Sequence, residues 1–549
     1  MKIESSWRRR RSQATATALA LVAGLLFTAC SAGQPERETT VPSEPVAGGE
    51  LVVGLDYETV GWTPGVSAIA TAGLNVANAI YDPLMIKTDD GSIHPYLAES
   101  LEPNEDNSVW TLKLRPEVVF HDGTPLNAEA IKIVWDEYLT GPASTIASVL
   151  GEVTSVDVVD ELTATYTLAG PNVAFPALLT TPAGWPFSPT AAAENGEEAA
   201  ANPVGTGPFQ FVSWQRDSEL VVEKNENYWQ DGLPYLDKIT FRPIPEGPTR
   251  AAALQSGDLD AAQATRPEAI TAMERIDGVT MHTFLPDTAN GYLYNTANAP
   301  LDDVRIRTAL LQAIDMDAAL EIRGSAGMVD PATQWFSQTS PYYSDAAAEA
   351  WPKYDIEAAQ ELYDDYVNDP GRSDGKAVGE PISVEFMWAS EASNKALSEY
   401  YQASWNALGA EVSIDLTDTA SLVERLISGD FQISGNRVGT AGEADPYYRF
   451  GIFFSEGPAN FARFMDDRIT EQIEALATTA ELGARKAAVE QISLVIADEL
   501  PYVTVDGSPF AIAAHEDVYG LDEWTMPDGT AGFGIPEGAA MWAYAWTTR

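Results

Sequence analysis

The residues of this sequence that could do chemistry are few and lie far apart. None of the four histidines, His94, His121, His282 and His515, has the His-x-x-x-His or Glu-x-x-His spacing of a zinc site. The chain contains no Gly-x-Ser-x-Gly nucleophile elbow, and its glycine-rich stretch at 205–208 lacks the lysine of a phosphate-binding loop. We therefore expect no catalytic residues, no metal and no cofactor. A hydrolase with a triad assembled from distant residues stays open as an alternative.

Cys30 is the only cysteine, and it follows a short apolar run from Leu25 to Ala29. The arginines Arg8 to Arg11 precede this run, and no charged residue separates them from Cys30. A basic segment, an apolar segment and small residues in this order are typical of a secretory signal peptide. With a cysteine after the small residue, the segment resembles a bacterial lipoprotein signal.

The lipoprotein resemblance implies cleavage before Cys30 and attachment of lipid to its sulfur. Residues 1–29 would then be removed, and the protein would be lipid-anchored at the extracytoplasmic face of the cell membrane. A transmembrane anchor is the first alternative, although it needs about 20 apolar residues. A buried structural thiol is the second. A twin-arginine export route also stays open.

Charge and length restrict the classes of partner. The 549 residues include 81 acidic and 32 basic side chains, a net charge of −49, which argues against nucleic acid and against anionic lipid surfaces. A solvated acidic surface is the expected interpretation, with a cationic ligand as the alternative.

Residues 30–47 are polar and aperiodic, which predicts a flexible tether. The remaining chain is longer than the roughly 250–300 residues at which a single hydrophobic core stops growing, so two or more lobes are expected. Because the sequence has one cysteine, no intramolecular disulfide is expected.

Hydrophobic patterns predict a mixed α/β protein. Val384–Trp388 and Val412–Leu416 are predicted strands with a helix at about 394–408 between them. A strand–helix–strand unit of this kind favours parallel pairing. Further strands are predicted at 51–55, 109–114, 153–168, 221–224 and 239–242, and helices at 68–81, 128–139, 303–314 and 489–500.

Several short phrases occur in a fixed order between about residues 48 and 510. They are Tyr81-Asp82-Pro83-Leu84, Pro95 to Ser100, Trp110 to Arg115, Phe120 to Leu126, Pro203 to Phe209, Asn225 to Trp229, Leu301 to Leu310 with Ala313-Ile314-Asp315, Gly429 to Ile433, and Asp445-Pro446-Tyr447-Tyr448. Together they resemble family 5 of the extracytoplasmic solute-binding proteins of ABC importers, which bind oligopeptides, dipeptides, nickel and related solutes.

This resemblance implies an α/β, two-lobed clamshell of the periplasmic-binding-protein kind, with an additional domain inserted in lobe I. Lobe I would comprise 48–80, 206–288 and 508–549, the inserted domain 81–205, and lobe II 289–507. The chain would cross between the lobes near Asn290-Gly291-Tyr292 and near Val503-Thr504-Val505. Hinge motion would close the lobes over a solute, and the closed form would dock on a membrane permease and its ATPase.

In α/β folds, ligands are held by loops at the carboxyl ends of the parallel strands. On that basis we predict ligand contacts from Tyr57 and Trp62, from Trp388 and Ser390, and from the loop Arg437 to Tyr448, including Asp445 and Tyr447. Resemblance to peptide binders implies that Asp445 holds the amino group of a peptide, while an Asp-Pro turn is an equal alternative.

Dipeptide binders of the family carry an arginine after the strand equivalent to Val384–Trp388. The stretch Ala389 to Asn394 has none. The sequence therefore disfavours a dipeptide and leaves longer peptides, a cationic solute, a sugar-like solute and a nickel chelate open. We expect a monomer. A sensory receptor with the same clamshell is the alternative to import.

Other residues of the phrases are expected to be structural. We expect His121 to be a hydrogen-bonded turn residue. We expect Arg305 and Arg307 to pair with nearby carboxylates and not with solute.

Overall fold

Two β-sheets of different size organise the chain in a computed structural model. The structure describes residues 44–67, 69, 71–88, 91–140, 152–285, 289–437, 445–457, 459–507, 509–534 and 538–549. The predicted lipid-attachment site, Cys30, and the signal segment 1–29 therefore lie outside the described residues. Within the described ranges, no helix has both the length and the apolar character needed to span a bilayer.

The strands are β1 (Glu50–Leu55), β2 (Met85–Lys87), β3 (Ile93–Pro95), β4 (Ala98–Pro103), β5 (Val109–Leu114), β6 (Val153–Asp160), β7 (Thr163–Leu168), β8 (Phe209–Gln215), β9 (Glu219–Lys224), β10 (Lys238–Pro243), β11 (Ala261–Ala264), β12 (Val279–Phe284), β13 (Asn290–Tyr294), β14 (Ser383–Ala389), β15 (Glu411–Thr417), β16 (Ile433–Arg437), β17 (Tyr502–Asp506), β18 (Phe510–His515), β19 (Val518–Tyr519), β20 (Glu523–Thr525), β21 (Ala531–Phe533) and β22 (Trp546–Thr547).

The α-helices are α1 (Thr71–Ile80), α2 (Ala128–Thr140), α3 (Phe175–Leu178), α4 (Pro189–Asn195), α5 (Gly247–Ser256), α6 (Pro267–Met273), α7 (Val304–Gln312), α8 (Met316–Arg323), α9 (Asp345–Ala350), α10 (Ile356–Val367), α11 (Ala392–Ala407), α12 (Thr419–Ser428), α13 (Pro446–Phe454), α14 (Asp467–Thr478) and α15 (Leu482–Glu499).

The larger sheet has seven strands in the order β12-β18-β11-β1-β10-β9-β8. Its centre is parallel, because β1 pairs in parallel with both β10 and β11. The alternating Leu51, Val53 and Leu55 of β1 are each at most 3% exposed, which fixes this strand in the interior. We call the part of the chain built on this sheet the first lobe.

The second sheet has five strands in the order β15-β14-β16-β13-β17. β14 pairs in parallel with β15 and with β16, and α11 connects β14 to β15. The predicted strand–helix–strand unit with parallel pairing is therefore confirmed. We call the part built on this sheet the second lobe.

The chain passes between the two sheets twice, from β12 to β13 and from β17 to β18. The predicted hinge residues lie within β13 and β17, which pair antiparallel with a bulge between Asn290 and Gly291. A Cβ added at Gly291 would lie 1.7 Å from the carbonyl oxygen of Val503, so only glycine fits this backbone contact. The exact domain boundaries remain a prediction.

A separate four-stranded antiparallel sheet, β4-β5-β7-β6, lies between the first and later strands of the first lobe in sequence. Its strands fall within the range 81–205 predicted for an inserted domain. The alternating segment 153–168 forms a hairpin of two strands, β6 and β7. The buried Trp110 and Tyr166 of this sheet belong to the same hydrophobic core as β1, so the inserted sheet packs on the first lobe.

The second lobe has its own core, in which aromatic rings cluster. Tyr292 on β13 contacts Phe386 on β14 and Trp405 on α11. Helix α13 belongs to both cores, because Tyr448 packs into the first and Phe450 into the second. This helix therefore joins the two lobes next to the segment where ligand residues are predicted.

Candidate functional site

The carboxyl ends of the parallel strands in the first lobe are held together by one buried ion pair. Asp56, directly after β1, pairs with Arg250, and these residues are 7% and 1% exposed. Arg250 Nε also donates to the carbonyl of Gln263 on β11 at 2.7 Å, and its Nη1 donates to the carbonyl of Ile244 after β10. One guanidinium therefore fixes the starting points of three loops at the same edge of the sheet.

The same carboxylate extends this framework to the residue after β11. Thr265 donates its backbone N–H to Asp56 Oδ2 at 3.1 Å, and its hydroxyl donates to the same oxygen. The next residue, Arg266, is thereby placed at the edge where ligand loops are expected.

The two residues predicted from the loop after β1 have different environments. Tyr57 is half-buried, and its hydroxyl accepts the backbone N–H of Ala72 at the start of α1, at 3.2 Å. Trp62 is 1% exposed and packs edge-on against Trp214, with ring centroids 5.6 Å apart. The structure therefore gives Trp62 the packing of a core residue, and its contact with a solute stays a prediction.

On the second lobe, Trp388 is the penultimate residue of β14 and lies over Gly435 of the neighbouring strand. A Cβ at Gly435 would be 2.1 Å from the indole ring, so the glycine makes room for the tryptophan. Ser390 is exposed, and its backbone N–H donates to the carbonyl of Thr417 at 2.8 Å. Arg437 ends β16, where its backbone pairs with Asn290. These three residues are at the carboxyl ends of strands, as predicted, and their solute contacts stay predictions.

Asp445 is the residue directly before α13, and its carboxylate is bonded by Tyr447 and Arg485. It accepts the backbone N–H of Tyr447 at 2.8 Å as the N-cap of the helix. Both carboxylate oxygens also accept from Arg485 Nη2, at 2.5 and 2.7 Å. Burial raises the pKa of Asp445 above its ordinary value, while Arg485 and the Tyr447 N–H act against that shift. A solute amine at Asp445 would share this carboxylate with Arg485.

Tyr447 and its neighbour Tyr448 connect α13 to the inserted sheet. The Tyr447 hydroxyl donates to Glu152, and Asn172 Nδ2 donates to Tyr448 Oη at 3.0 Å and to Glu152 at 2.5 Å. Burial raises the pKa of Glu152, and these hydrogen bonds oppose the rise. The predicted ligand residue Tyr447 is therefore part of a contact between α13 and the inserted sheet that packs on the first lobe.

One residue pair at the site was missed by the sequence reasoning. Arg266 of the first lobe and Glu391 of the second form an ion pair of 2.8 Å. The stretch from Ala389 to Asn394 lacks an arginine, which argues against a dipeptide, but its sequence assigns no role to the glutamate that it contains. No local pattern could have paired two residues so distant in sequence.

The phrases that carry the family resemblance are largely structural. His121 bonds the backbone of the glycine-rich phrase, with Nδ1 accepting from Gly205 N at 3.3 Å and Nε2 lying 3.0 Å from Gly207 O. Burial lowers the pKa of His121 to about 4. Arg305 pairs with Asp303 and Asp369, and Arg307 with Glu499, so the structural interpretation of these three residues is confirmed.

Two further phrases meet at Asp82, which is 4% exposed. Its carboxylate accepts from Trp229 Nε1 at 2.7 Å and from the Tyr228 hydroxyl at 3.2 Å. Burial raises the pKa of Asp82 to about 7, and the two hydrogen bonds oppose this rise. At pH values between the ordinary pKa of 3.8 and about 7, the Asp82 carboxyl is therefore protonated in the folded state and ionised in the unfolded chain.

We expect Asp82→Asn to flatten the pH dependence of stability. The stability that comes from the protonated carboxyl is present at low pH and is lost as pH rises through about 7. The free energy of unfolding of the native sequence should therefore fall by about 1.4 kcal/mol more between pH 6 and 8 than that of the variant. Urea unfolding at both pH values measures this difference. Parallel pH profiles for the two proteins would contradict it.

A cavity of about 950 Å³ opens beside this network. Its walls include Arg115, Tyr228, Trp229 and Tyr544. None of the seven predicted ligand residues lines it, so it is distinct from the edge where the strand ends of the two lobes meet.

Comparison with known proteins agrees with the architecture. Residues 92–461 match the family described as bacterial extracellular solute-binding proteins, family 5. The chain is 27% identical over 494 residues to the glutathione-binding protein GsiB of Escherichia coli K12, covering 87% of this chain and 92% of that protein. It is 34% identical over 290 residues to GsiB of Pectobacterium atrosepticum, which is 52% of this chain and about half (55%) of that protein.

Solved structures share the fold. The binding protein AgaA of A. tumefaciens R10, in complex with agropinic acid, has a TM-score of 0.77 at 23% identity, covering 91% of this chain and 99% of that one. DppA of Helicobacter pylori, in complex with the peptide STSA, has a TM-score of 0.76 at 21% identity, covering 92% and 99%. The two-lobed α/β clamshell with an inserted domain is therefore confirmed, and the chain belongs to family 5 of the bacterial extracellular solute-binding proteins.

Proposed function

We propose that this protein captures a short peptide or peptide-like solute between its two lobes and delivers it to an ABC permease and its ATPase. The observation that carries the proposal is the meeting of strand ends from both sheets, where Arg266 after β11 reaches Glu391 after β14. A solute held there contacts both lobes at once. Closure of the lobes is then coupled to binding, because the closed form offers the solute more contacts than the open form.

The relatives support a peptide-like solute. GsiB is named as glutathione-binding, and DppA is described with a bound tetrapeptide. The seven predicted ligand residues, Tyr57, Trp62, Trp388, Ser390, Arg437, Asp445 and Tyr447, are part of this proposal. So are the domain boundaries, with the inserted domain at 81–205 and the second lobe at 289–507, and the monomeric state.

Titration calorimetry tests the solute class. The purified mature protein is titrated with reduced glutathione and with peptides of two to five residues, and native mass spectrometry identifies any solute retained from the cell. We expect saturable binding of at least one peptide with one site per chain. Absence of binding to the whole panel, together with a retained solute of another chemical class, would contradict the proposal.

We also propose that Cys30 carries a lipid that keeps the receptor near its transporter, which raises the effective concentration of the receptor at the permease. Cys30→Ser should release the protein from the membrane while leaving its solute affinity unchanged. Fractionation of cells into membrane and soluble proteins measures the release, and the native sequence expressed in the same cells is the control. A variant that stays in the membrane fraction would show that another segment anchors the chain.

A further inference from the structure

The ion pair between Arg266 and Glu391 differs from the other contacts between the lobes. Arg266 Nη1 lies 2.8 Å from Glu391 Oε2, and the two side chains are 47% and 40% exposed. The contacts of Tyr447 and Tyr448 are more deeply buried. The pair thus connects the two lobes, and both of its side chains are exposed enough for a solute to reach their charged groups.

Stability does not account for this pair. Exposed ion pairs contribute about 0–1 kcal/mol, because water and salt screen them and two long side chains are immobilised. The chain has 32 basic and 81 acidic residues, so cationic side chains are scarce. One of them nevertheless projects from the edge of the first lobe towards the second.

Hydrogen bonds hold the backbone at both charged residues, Arg266 and Glu391. Arg266 follows Thr265, whose N–H and hydroxyl bond the buried Asp56. On the second lobe, the backbone N–H of Glu391 donates to the carbonyl of Ala389 at 2.9 Å. Asn394 Nδ2 donates to the same carbonyl at 3.1 Å. Charges that are positioned before binding lose less entropy when a solute arrives.

The position of Glu391 is unusual for its residue type. It is the N-cap residue of α11, a place where serine, threonine, aspartate and asparagine are preferred. Its carboxylate does not bond the first N–H groups of the helix and instead reaches Arg266. A glutamate here keeps its charge available to the space between the lobes.

Glu391 is also the more accessible of two candidate carboxylates. The side chain of Asp445 is 15% exposed and both of its oxygens are bonded to Arg485. Glu391 is 40% exposed and has a single charged partner, from the opposite lobe, among the ion pairs of the described residues. An ammonium group therefore displaces fewer protein contacts at Glu391 than at Asp445.

We propose that Arg266 and Glu391 select a zwitterionic solute, with Arg266 binding its carboxylate and Glu391 binding its ammonium or guanidinium group. Without solute, the two side chains neutralise each other across the lobes. With solute, each exchanges its protein partner for the opposite charge of the ligand, so both lobes are bridged by one molecule. This inference rests on the proposed function and specifies the charge of the solute that the site accepts.

Peptide derivatives that each lack one of the two terminal charges test the assignment. Arg266→Gln and Glu391→Gln are titrated with trialanine as the free peptide, the N-acetylated form and the C-terminal amide. We expect Arg266→Gln to weaken the free and acetylated forms at least tenfold and to leave the amide unchanged. We expect Glu391→Gln to weaken the free and amidated forms by a similar factor and to leave the acetylated form unchanged. The exposed Arg275, changed to glutamine, is the matched control and should alter none of the affinities.

The outcomes separate this inference from the proposed function. Equal weakening of all three forms by both variants would make the pair a latch between the lobes, and unchanged affinities would make it incidental. Either result would overturn the proposal that Arg266 and Glu391 select a zwitterionic solute, while the proposed binding of a peptide would remain supported. Failure of the native sequence to bind any peptide of the panel would overturn the proposed function, and the inference with it.

Discussion

Replacing Arg250 by methionine should lower the free energy of unfolding by about 3–5 kcal/mol, the range for removing one partner of a buried ion pair. Arg250 is 1% exposed and its partner Asp56 is 7% exposed. Burial lowers the pKa of Arg250 to about 10, so the guanidinium remains charged at neutral pH. Methionine fills similar space but leaves Asp56 as a negative charge without its counter-ion.

The same substitution should weaken solute binding, because Arg250 positions the loops after β1, β10 and β11. Its Nε and Nη1 atoms donate to the carbonyls of Gln263 and Ile244. Without these bonds, the loops that carry Tyr57 and Arg266 lose their common support. Binding should fall even at temperatures where the variant is fully folded.

Urea unfolding and calorimetry measure the two effects. Arg242→Met is the matched control, since Arg242 lies on β10 of the same sheet but is exposed, and it should change the free energy of unfolding by less than about 0.5 kcal/mol. Adding Asp56→Asn to Arg250→Met should restore part of the lost stability, because it removes the uncompensated charge. Arg250→Met with the stability of the control would show that the pair does not hold the loops.

Local elements of this fold were predictable because their signals are local. The runs Val384–Trp388 and Val412–Leu416 are short and apolar, and they form β14 and β15 as expected. Trp62 shows what local patterns leave out. Its place in a loop after a strand predicts a ligand contact, and that contact stays a prediction, but no local signal indicates that its ring is 1% exposed and packs against Trp214.

Charge partners were not predictable, because they come from distant parts of the chain. Asp445 was identified from its Asp-Pro phrase, but its partner Arg485 lies 40 positions away on α15. Arg266 and Glu391 come from different sheets and meet only because both strands end at facing edges. In so acidic a chain, composition offers many possible carboxylates for every arginine, and only the fold selects one.

Replacing Arg485 by methionine should also destabilise the protein by about 3–5 kcal/mol. Arg485 is 6% exposed and holds both oxygens of Asp445. Its Nη1 also donates to the carbonyls of Leu476 and Thr479 at the end of α14, at 2.6 and 3.0 Å. Methionine therefore leaves a buried charge and two carbonyls without the donor that they share.

Asp445→Asn separates the two roles predicted for Asp445. Asparagine is as good an N-cap as aspartate, so α13 should keep its start, but the buried Arg485 loses its counter-ion, so the loss of stability should again be about 3–5 kcal/mol. If Asp445 binds the amine of a solute, Asp445→Asn should weaken free peptides at least tenfold more than their N-acetylated forms. If its role is confined to Arg485 and the helix, both forms should lose affinity equally.

Comparison with Glu391→Gln then decides which carboxylate meets the amine. Asp445 starts with two bonds to Arg485, so binding an ammonium there either breaks one of them or adds a second cation beside the guanidinium. Glu391 has to release only a half-exposed arginine, a contact worth about 0–1 kcal/mol. The amine-dependent loss should therefore be larger for Glu391→Gln than for Asp445→Asn. The reverse order, measured by calorimetry with free and acetylated trialanine, would place the amine at Asp445 and leave Glu391 as a contact between the lobes.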